Sequence, residues 1–314
     1  LPVLMGRFLH NVIVFGTLCL LAVAAFVFRY RAYVPAPRLT TNISLNAKLH
    51  LLKQRLDDRV DVLALGSSMT LNNLSSDAVL EALGDSSYLN MGAWGTDIRQ
   101  SLRLARMIVP QVRPRVVLMV SNMGDFSGIA ERFPMDSTRI VNYLTKWSEV
   151  GAYLRIRDGG YYLRQMELNA VRMNDLANYE RLVFDRYGGV ELEIPPDRID
   201  QARYNKTPPE REELVDDQYE ALGALAHYLH ERGVRFILLR SPYRDGLRNA
   251  HVDSTLAWHG ARLRRIVEVE GGTVCDVNDR SWPDSLFCDY GHMNALGAYR
   301  FSYHCLHDKL GDRR

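Results

Sequence analysis

Residues 61–70 read DVLALGSSMT, a short apolar run that ends in a small, hydroxyl-rich turn. The run Val62–Leu65 is typical of a buried strand, and a glycine followed by two serines is typical of a tight turn. A serine in such a turn exposes its Oγ, and the N-terminus of a following helix adds positive potential for a developing oxyanion. The stretch therefore predicts a strand followed by a candidate nucleophile, Ser68, although Gly-Ser-Ser turns are also common without catalysis.

Strand-like and helix-like segments alternate on the C-terminal side of this turn. Helical patterns over 75–83 and 98–108 separate apolar runs over 88–90 and 116–120. The alternation resumes later in the chain, with helices over 216–231, 256–270 and 295–310 and strands over 235–239 and 273–277. Short strands separated by helices imply a parallel sheet that is covered on both faces. The predicted fold is a three-layer α/β/α domain, flavodoxin-like, with a five-stranded parallel sheet.

The stretch from about 126 to 213 interrupts the alternation. It is rich in aromatic residues and contains the pairs Gly159-Gly160, Gly188-Gly189, Pro195-Pro196 and Pro208-Pro209. An insertion that follows the carboxyl end of a strand lies over the usual ligand crevice of an open α/β sheet. We therefore expect a substrate lid or groove, with a purely structural subdomain as the alternative.

The N-terminal region predicts a membrane anchor. Residues 8–28 contain no Asp, Glu, Lys or Arg, and a helix of this length spans about 30 Å, the thickness of a bilayer core. A cleaved secretory signal is the alternative, but no small-x-small cleavage site follows. Basic residues flank both ends, so they do not decide the orientation. The sequence divides into an anchor (1–33), a linker (34–60) that leads into a short helix, and a catalytic domain (61–314).

Composition and charge exclude some classes of function. The net charge is +2 with 24% charged residues, so no nucleic-acid-binding surface is expected. The helical histidine pairs His227/His230 and His304/His307 lack a matching carboxylate, and the cysteines lack metal-binding spacing. No metal or other cofactor is predicted. A Cys275–Cys288 disulfide is expected to restrain the loop at 288–292, with inert buried thiols as the alternative.

Three further polar turns lie where the carboxyl edge of the sheet would gather them. Gly95 follows the second predicted strand and Asn122 the third, so a glycine amide and a side-chain amide could donate to an oxyanion. Asp289 and His292 lie three apart on one loop, which allows the carboxylate to contact Nδ1 while Nε2 faces a serine. Each turn is ordinary by itself, and their joint order favours catalysis. Trp94, beside Gly95, is either a sugar-stacking platform or a core residue.

This order of motifs resembles the SGNH, or GDSL-like, hydrolase superfamily. By that resemblance Gly66-Ser67-Ser68 matches the nucleophile block, Gly95 and Asn122 match the oxyanion-hole blocks, and Asp289 with His292 matches the closing block. The likeness covers roughly residues 61–125 and 215–310. Two departures stand out: Ser67 replaces the usual Asp, and Asn122 lacks the flanking residues of the usual Gly-x-Asn-Asp.

Ser67 and the N-terminal anchor look more like the membrane-bound branch that includes the D-alanyl transfer protein DltD and alginate-type O-acetyltransferases. That resemblance implies acyl transfer to a cell-envelope polysaccharide or polymer, helped by a membrane-bound O-acyltransferase partner. It also implies a single-pass protein of the bacterial cell membrane, with the catalytic domain in the periplasm or outside the cell. The alternatives are a carbohydrate or lipid esterase and a non-catalytic scaffold or glycan-binding protein.

Overall fold

The computed structural model describes residues 2–83, 87–128 and 133–308. Its centre is a parallel five-stranded sheet with the strand order β2-β1-β3-β4-β5. The strands are β1 Val62–Ala64, β2 Tyr88–Asn90, β3 Val116–Ser121, β4 Arg235–Arg240 and β5 Thr273–Asp276. This confirms the predicted α/β fold with a five-stranded parallel sheet.

The helices are α1 Pro2–Tyr30, α2 Ile43–Gln54, α3 Ser68–Asn73, α4 Ser76–Leu83, α5 Ile98–Val112, α6 Ser137–Thr145, α7 Glu149–Arg155, α8 Gly159–Asn174, α9 Gln201–Tyr204, α10 Asp216–His230, α11 Ala250–Val267 and α12 Ala295–Tyr303. Short 3-10 turns join several of them, and one π-helical turn follows α12.

The two faces of the sheet pack against different helices. Alternate residues such as Leu63 and Leu238 lie in one buried cluster with side chains of α2, α5, α10 and α11. Their neighbours, such as Val62 and Ile237, lie in a second cluster with side chains of α3, α4 and α12. Because successive strand residues face opposite sides, both faces are buried and the sheet has helices on both sides.

Helix α2 lies in the segment that the sequence suggested was a linker. Its side chains Leu45, Leu49 and Leu52 are fully buried in the first cluster. Lys48 on the same helix is also buried, and its Nζ donates to the Asn90 carbonyl at 2.9 Å. Burial lowers the pKa of Lys48 to about 7. This helix therefore packs as part of the core, while the predicted domain boundaries stay a prediction.

The chain divides into two compact units, one of which comprises residues 1–35 and 158–174. Within it, the segment Met5–Tyr33 is long and apolar enough to span a membrane, and no part of its apolar stretch is buried by protein. Helix α8 is joined to the turn after α1, because Asn169 Nδ2 donates to the Tyr33 carbonyl at 3.1 Å.

The rest of the insertion belongs to the second unit. Helix α6 buries Ile140 and Leu144 in the first cluster. Farther along, the Val190 amide donates to the Leu71 carbonyl at 3.2 Å, which joins the insertion to helix α3.

The expected Cys275–Cys288 disulfide is wrong for this structure. Both residues are buried, and no disulfide joins them. Cys275 lies on β5 with its side chain in the second buried cluster, where its Sγ contacts the Cys305 carbonyl at 3.2 Å. Cys288 packs instead in a small cluster with residues of the insertion, such as Leu192. The two thiols therefore face different neighbours, although they are close in sequence.

Candidate active site

Ser68 lies at the first residue of α3, directly after the turn that follows β1. The Ser67 Oγ accepts a hydrogen bond from the Met69 amide at 3.1 Å and so caps the helix. A Cβ on Gly66 would lie 2.2 Å from Thr70 Oγ1, so only glycine allows this close approach. Thr70 Oγ1 in turn donates to the Val120 carbonyl at 2.9 Å. The turn is thereby fixed against β3, which holds Ser68 at the carboxyl edge of the sheet.

Asp289, His292 and Ser68 form a continuous hydrogen-bonded relay. His292 Nε2 lies 2.9 Å from Ser68 Oγ, and His292 Nδ1 lies 2.7 Å from Asp289 Oδ2. The other Asp289 oxygen accepts the amides of Gly291 at 2.9 Å and His292 at 2.7 Å. Burial opposes ionisation of Asp289, but the His292 charge and these hydrogen bonds outweigh it, so the pKa of Asp289 is lowered. The side chain of His292 is 13% exposed, and that of Asp289 is 1% exposed.

The side chain of Asn73 in α3 holds this loop in position. Asn73 Nδ2 donates to the Gly291 carbonyl at 2.8 Å, and Asn73 Oδ1 accepts the Met293 amide at 2.9 Å. The loop that carries His292 is thus bound to the helix that carries Ser68. Sequence reasoning missed Asn73. The sequence carried no signal for this contact, because Asn73 lies far from Gly291 and Met293 along the chain.

The two predicted oxyanion donors lie in different surroundings. Gly95 has a φ of +61° and lines the cleft beside Ser68 and His292. Asn122 is 3% exposed, and its Oδ1 accepts the Gly124 amide at 2.9 Å. Its Nδ2 lies 3.1 Å from Met69 Sδ, beneath the cleft. The structure therefore brings Gly95 to the cleft wall, whereas the side-chain amide of Asn122 contacts Met69.

Asp125 is a further acidic residue at this edge of the sheet. Its Oδ2 accepts a hydrogen bond from the backbone N–H of Asn122 at 3.3 Å, and its carboxyl also contacts the Ser67 side chain. Burial raises the pKa of Asp125 to about 7, and the bonds from Ser67 and Asn122 offset only part of that rise. Sequence reasoning missed this contact, because Asp125 lies far from Ser67 along the chain.

A cleft of about 260 Å³ opens in front of Ser68 and His292. The described residues that line it also include Asn72, Trp94, Gly95, Tyr179, Glu180, Leu192 and Arg203. Four of these, Tyr179, Glu180, Leu192 and Arg203, come from the insertion. Trp94 is half-buried, and its backbone is bound to the start of α2, because its amide donates to Ser44 Oγ at 2.9 Å. The insertion and the sheet edge thus share one cleft.

The expectation that the helical histidine pairs lack a matching carboxylate is wrong for His227, although no metal-binding group results. His227 lies 3.1 Å from Glu270 and 3.4 Å from Glu231, and His307 stacks on Tyr303 with ring centroids 4.5 Å apart. Within the described ranges, no group of three or more His, Cys, Asp or Glu side chains is arranged to hold a metal ion.

Neither a protein-family profile nor a curated protein sequence matches the chain. Among solved structures, it is similar to a lipase/acylhydrolase from Enterococcus faecalis, with 12% identity over 81% of this chain and 96% of the other and a TM-score of 0.43. It is also similar to a GDSL-like lipase from Bacteroides thetaiotaomicron, with 10% identity over 85% and 98% of the two chains and a TM-score of 0.42. An alpha/beta hydrolase enzyme from the metagenome of Lake Arreo, Spain, shares 16% identity over 80% and 94%, with a TM-score of 0.42. With TM-scores below 0.5, these similarities do not establish a family, and the assignment of function depends on the site itself.

Proposed function

We propose that this protein is a serine-dependent acyl-transfer enzyme in which Ser68 is the nucleophile. The observation that carries the proposal is the relay from Asp289 through His292 to Ser68, with hydrogen bonds of 2.7 and 2.9 Å. Both distances are within the range of a working base and nucleophile, and the third residue orients the base.

In the proposed reaction, His292 accepts the Ser68 proton while Oγ attacks an ester or thioester carbonyl. The tetrahedral intermediate collapses to an acyl-Ser68 ester, and His292 returns the proton to the departing alcohol or thiol. In the second half, His292 takes a proton from an incoming hydroxyl, which attacks the acyl group. As the acyl–Oγ bond breaks, His292 returns this proton to Ser68 Oγ, which restores the free serine. The amides of Ser68 and Gly95 and the Asn122 side chain are the proposed oxyanion donors. For Asn122 this requires a movement of its amide away from Met69 Sδ.

We further propose that the final acceptor is a hydroxyl of a cell-envelope polysaccharide or polymer rather than water. A helix able to span a membrane would keep the site near lipid-linked or membrane-delivered donors. Insertion residues along the cleft would reduce the access of water to the acyl-enzyme. Under this proposal, the protein crosses a bacterial membrane once and its catalytic unit lies outside the cytoplasm. A membrane-bound O-acyltransferase is its proposed partner. Hydrolysis is the second candidate, because the relay itself would equally activate water.

A fluorophosphonate probe on the full-length protein in detergent tests the nucleophile, since such probes label only activated serines. We expect one label on wild type and none on Ser68→Ala. Ser148→Ala is the matched control, because Ser148 caps α7 through the Gly151 amide at 3.0 Å and lies outside the cleft. An unlabelled wild type, or a labelled Ser68→Ala, would exclude the proposed mechanism.

Transfer is tested with an activated acyl ester, with and without envelope oligosaccharides, and products are followed by mass spectrometry. Acylated oligosaccharide that depends on Ser68 supports transfer. If only free acid forms with every acceptor, even with the membrane partner present, the activity is hydrolysis.

A further inference from the structure

Arg203 is the basic side chain that the insertion contributes to the candidate cleft. It lies on the short helix α9 and lines the same cavity as Ser68 and His292. Its carbonyl accepts the Tyr290 amide at 3.2 Å, and Tyr290 lies between Asp289 and His292 in the chain. The backbone that carries Arg203 is therefore bound directly to the loop that carries the relay.

The guanidinium of Arg203, which is an exposed residue, packs on an aromatic ring of the cleft. It stacks 4.4 Å from the ring centre of Tyr179, another residue of the cleft. The Tyr179 hydroxyl is itself fixed, because it donates to the Cys288 carbonyl at 2.7 Å and accepts the Asp200 amide at 3.2 Å. Stacking on a fixed aromatic ring leaves the edge of the guanidinium available for a planar acceptor.

Among the described residues, no carboxylate forms an ion pair with the Arg203 guanidinium. Other arginines nearby are compensated. Arg198, five residues earlier on the insertion, makes two bonds of 2.9 and 3.0 Å to Asp175. Arg244 lies 2.6 Å from Asp284. Arg203 therefore differs from these neighbours in that it lines the cleft and forms no ion pair with a carboxylate of the described residues.

We propose that Arg203 binds an oxyanion group of the substrate, a carboxylate or a phosphate, next to the ester that Ser68 attacks. The inference rests on the proposed function, because it assumes that the cleft holds the substrate. A guanidinium offers two parallel N–H donors, which match the two oxygens of a carboxylate or phosphate. The substrate class is thus an anionic rather than a neutral acyl donor or acceptor.

Glu180 also lines the cleft, so the described lining residues include an acidic side chain beside the basic one. A substrate anion beside Arg203 would be attracted by one group and repelled by the other. Glu180→Gln should therefore leave the preference for anionic substrates intact or increase it. If Glu180 instead bound a cationic group of the substrate, Glu180→Gln would lose a preference for cationic substrates.

The test compares matched charged and neutral esters with the full-length protein in detergent. For an anion on the alcohol side the pair is 4-acetoxybenzoate and its methyl ester. For an anion on the acyl side the pair is monophenyl terephthalate and methyl phenyl terephthalate, with phenol release as the readout. The charged-to-neutral ratio of kcat/KM in wild type is divided by the same ratio in Arg203→Gln, so the intrinsic reactivities of the esters cancel. We expect this quotient to be about ten to a hundred for at least one pair, which is the range for a lost hydrogen bond to a charged group.

Two variants serve as controls. Arg203→Lys should retain part of the preference, since it keeps the charge but loses the paired donors. Arg198→Gln should leave both kcat/KM values within about twofold of wild type, because its charge is already paired with Asp175 outside the cleft. Equal losses on charged and neutral esters in Arg203→Gln, or no change on either, would overturn the proposal. Failure of the proposed function is a separate result, namely no hydrolysis of the neutral esters and no probe label in wild type.

Discussion

The two sides of the candidate cleft are built in different ways. On one side, Ser68 and Gly95 follow strands of the sheet, and His292 lies on the loop before the last helix. On the other side, Tyr179 and Arg203 come from an insertion of mostly irregular chain. The sheet side owes its geometry to strand ends and tight turns, which parallel pairing brings to one edge. The insertion side owes its geometry to individual bonds between its loops and the core.

This difference predicts separate roles for the two sides of the cleft, one in the bond-forming steps and the other in the choice of substrate. The atoms that would form and break bonds are held by the sheet edge and by Asn73, within a few residues of regular structure. The insertion is joined to that edge by bonds such as Asn90 amide to Tyr187 carbonyl at 2.7 Å and Tyr290 amide to Arg203 carbonyl at 3.2 Å. We therefore expect changes on the sheet side to reduce turnover of every substrate, and changes on the insertion side to alter which substrates bind.

The largest effect should come from Asp289→Asn. The asparagine would keep the shape of the loop but could present a donor to His292 Nδ1, so the imidazole would no longer be held as a base toward Ser68. We expect kcat to fall by about a thousandfold to ten-thousandfold, as in comparable triads, with KM changed little. Steady-state kinetics with a neutral aryl ester measure this, and far-UV circular dichroism checks the fold. Retention of more than a tenth of wild-type kcat would remove Asp289 from the proposed relay.

Asn122→Ala should have the next largest effect. If the Asn122 amide moves from Met69 Sδ to the developing oxyanion, its loss should lower kcat by about a hundredfold or more, because one donor contributes roughly 3 kcal/mol in such sites. Met69→Leu is the matched control, because it removes the sulfur contact and keeps the amide. A kcat in Asn122→Ala within threefold of wild type would assign Asn122 to the structure of the turn alone.

Much of the sheet side could be predicted from the sequence. Ser68, Gly95 and Asn122 lie in turns that follow apolar runs, which identifies the ends of three strands. Parallel strands bring their carboxyl ends together at one edge of the sheet. Asp289 and His292 could be added because their spacing suits one loop. The prediction went less far for Asn122, since nothing in the sequence told whether its amide faces the cleft or a neighbouring side chain.

The insertion and its contacts could not be predicted in the same way. Arg203 reaches the relay through a bond to Tyr290, and Asp125 reaches Ser67 across the turns of two strands. Such contacts join residues far apart in sequence and have no periodic signature. Helix α2 is a different case, because Leu45, Leu49 and Leu52 have helical spacing that was visible. The sequence predicted a linker leading into a short helix there, but it did not show that this helix packs into the core.

The pH dependence of the free energy of unfolding tests the raised pKa of Asp125, which lies on the sheet side of the cleft. Its pKa in the folded protein is about 7, above the ordinary value of 3.8, so the folded state binds more protons than the unfolded state between these values. The free energy of unfolding should therefore decrease as the pH rises through this window. Asp125→Asn imitates the protonated form and should remove the loss, which we estimate at about 2 kcal/mol between pH 5 and pH 8. Urea unfolding of both proteins at the two pH values measures it, and an equal pH dependence in wild type and variant would contradict the assigned pKa.

The smallest effect, on the insertion side, is expected from Tyr179→Phe. The ring on which Arg203 stacks would remain, but the hydroxyl that joins the Cys288 carbonyl to the Asp200 amide would be lost. Because these bonds involve the backbone beside the relay and not the side chains of Ser68, His292 or Asp289, KM for an anionic ester should rise severalfold, whereas kcat should stay within about twofold. The cost in stability should be about 1 kcal/mol, the usual net value of a hydrogen bond. Tyr299→Phe is the control, since its hydroxyl bonds to Glu81 at 2.9 Å on a surface outside the cleft, and both kinetic constants should be unchanged. If Tyr179→Phe lowered kcat tenfold and left KM unchanged, the insertion would act on the chemistry itself, and the division between the two sides of the cleft would be wrong.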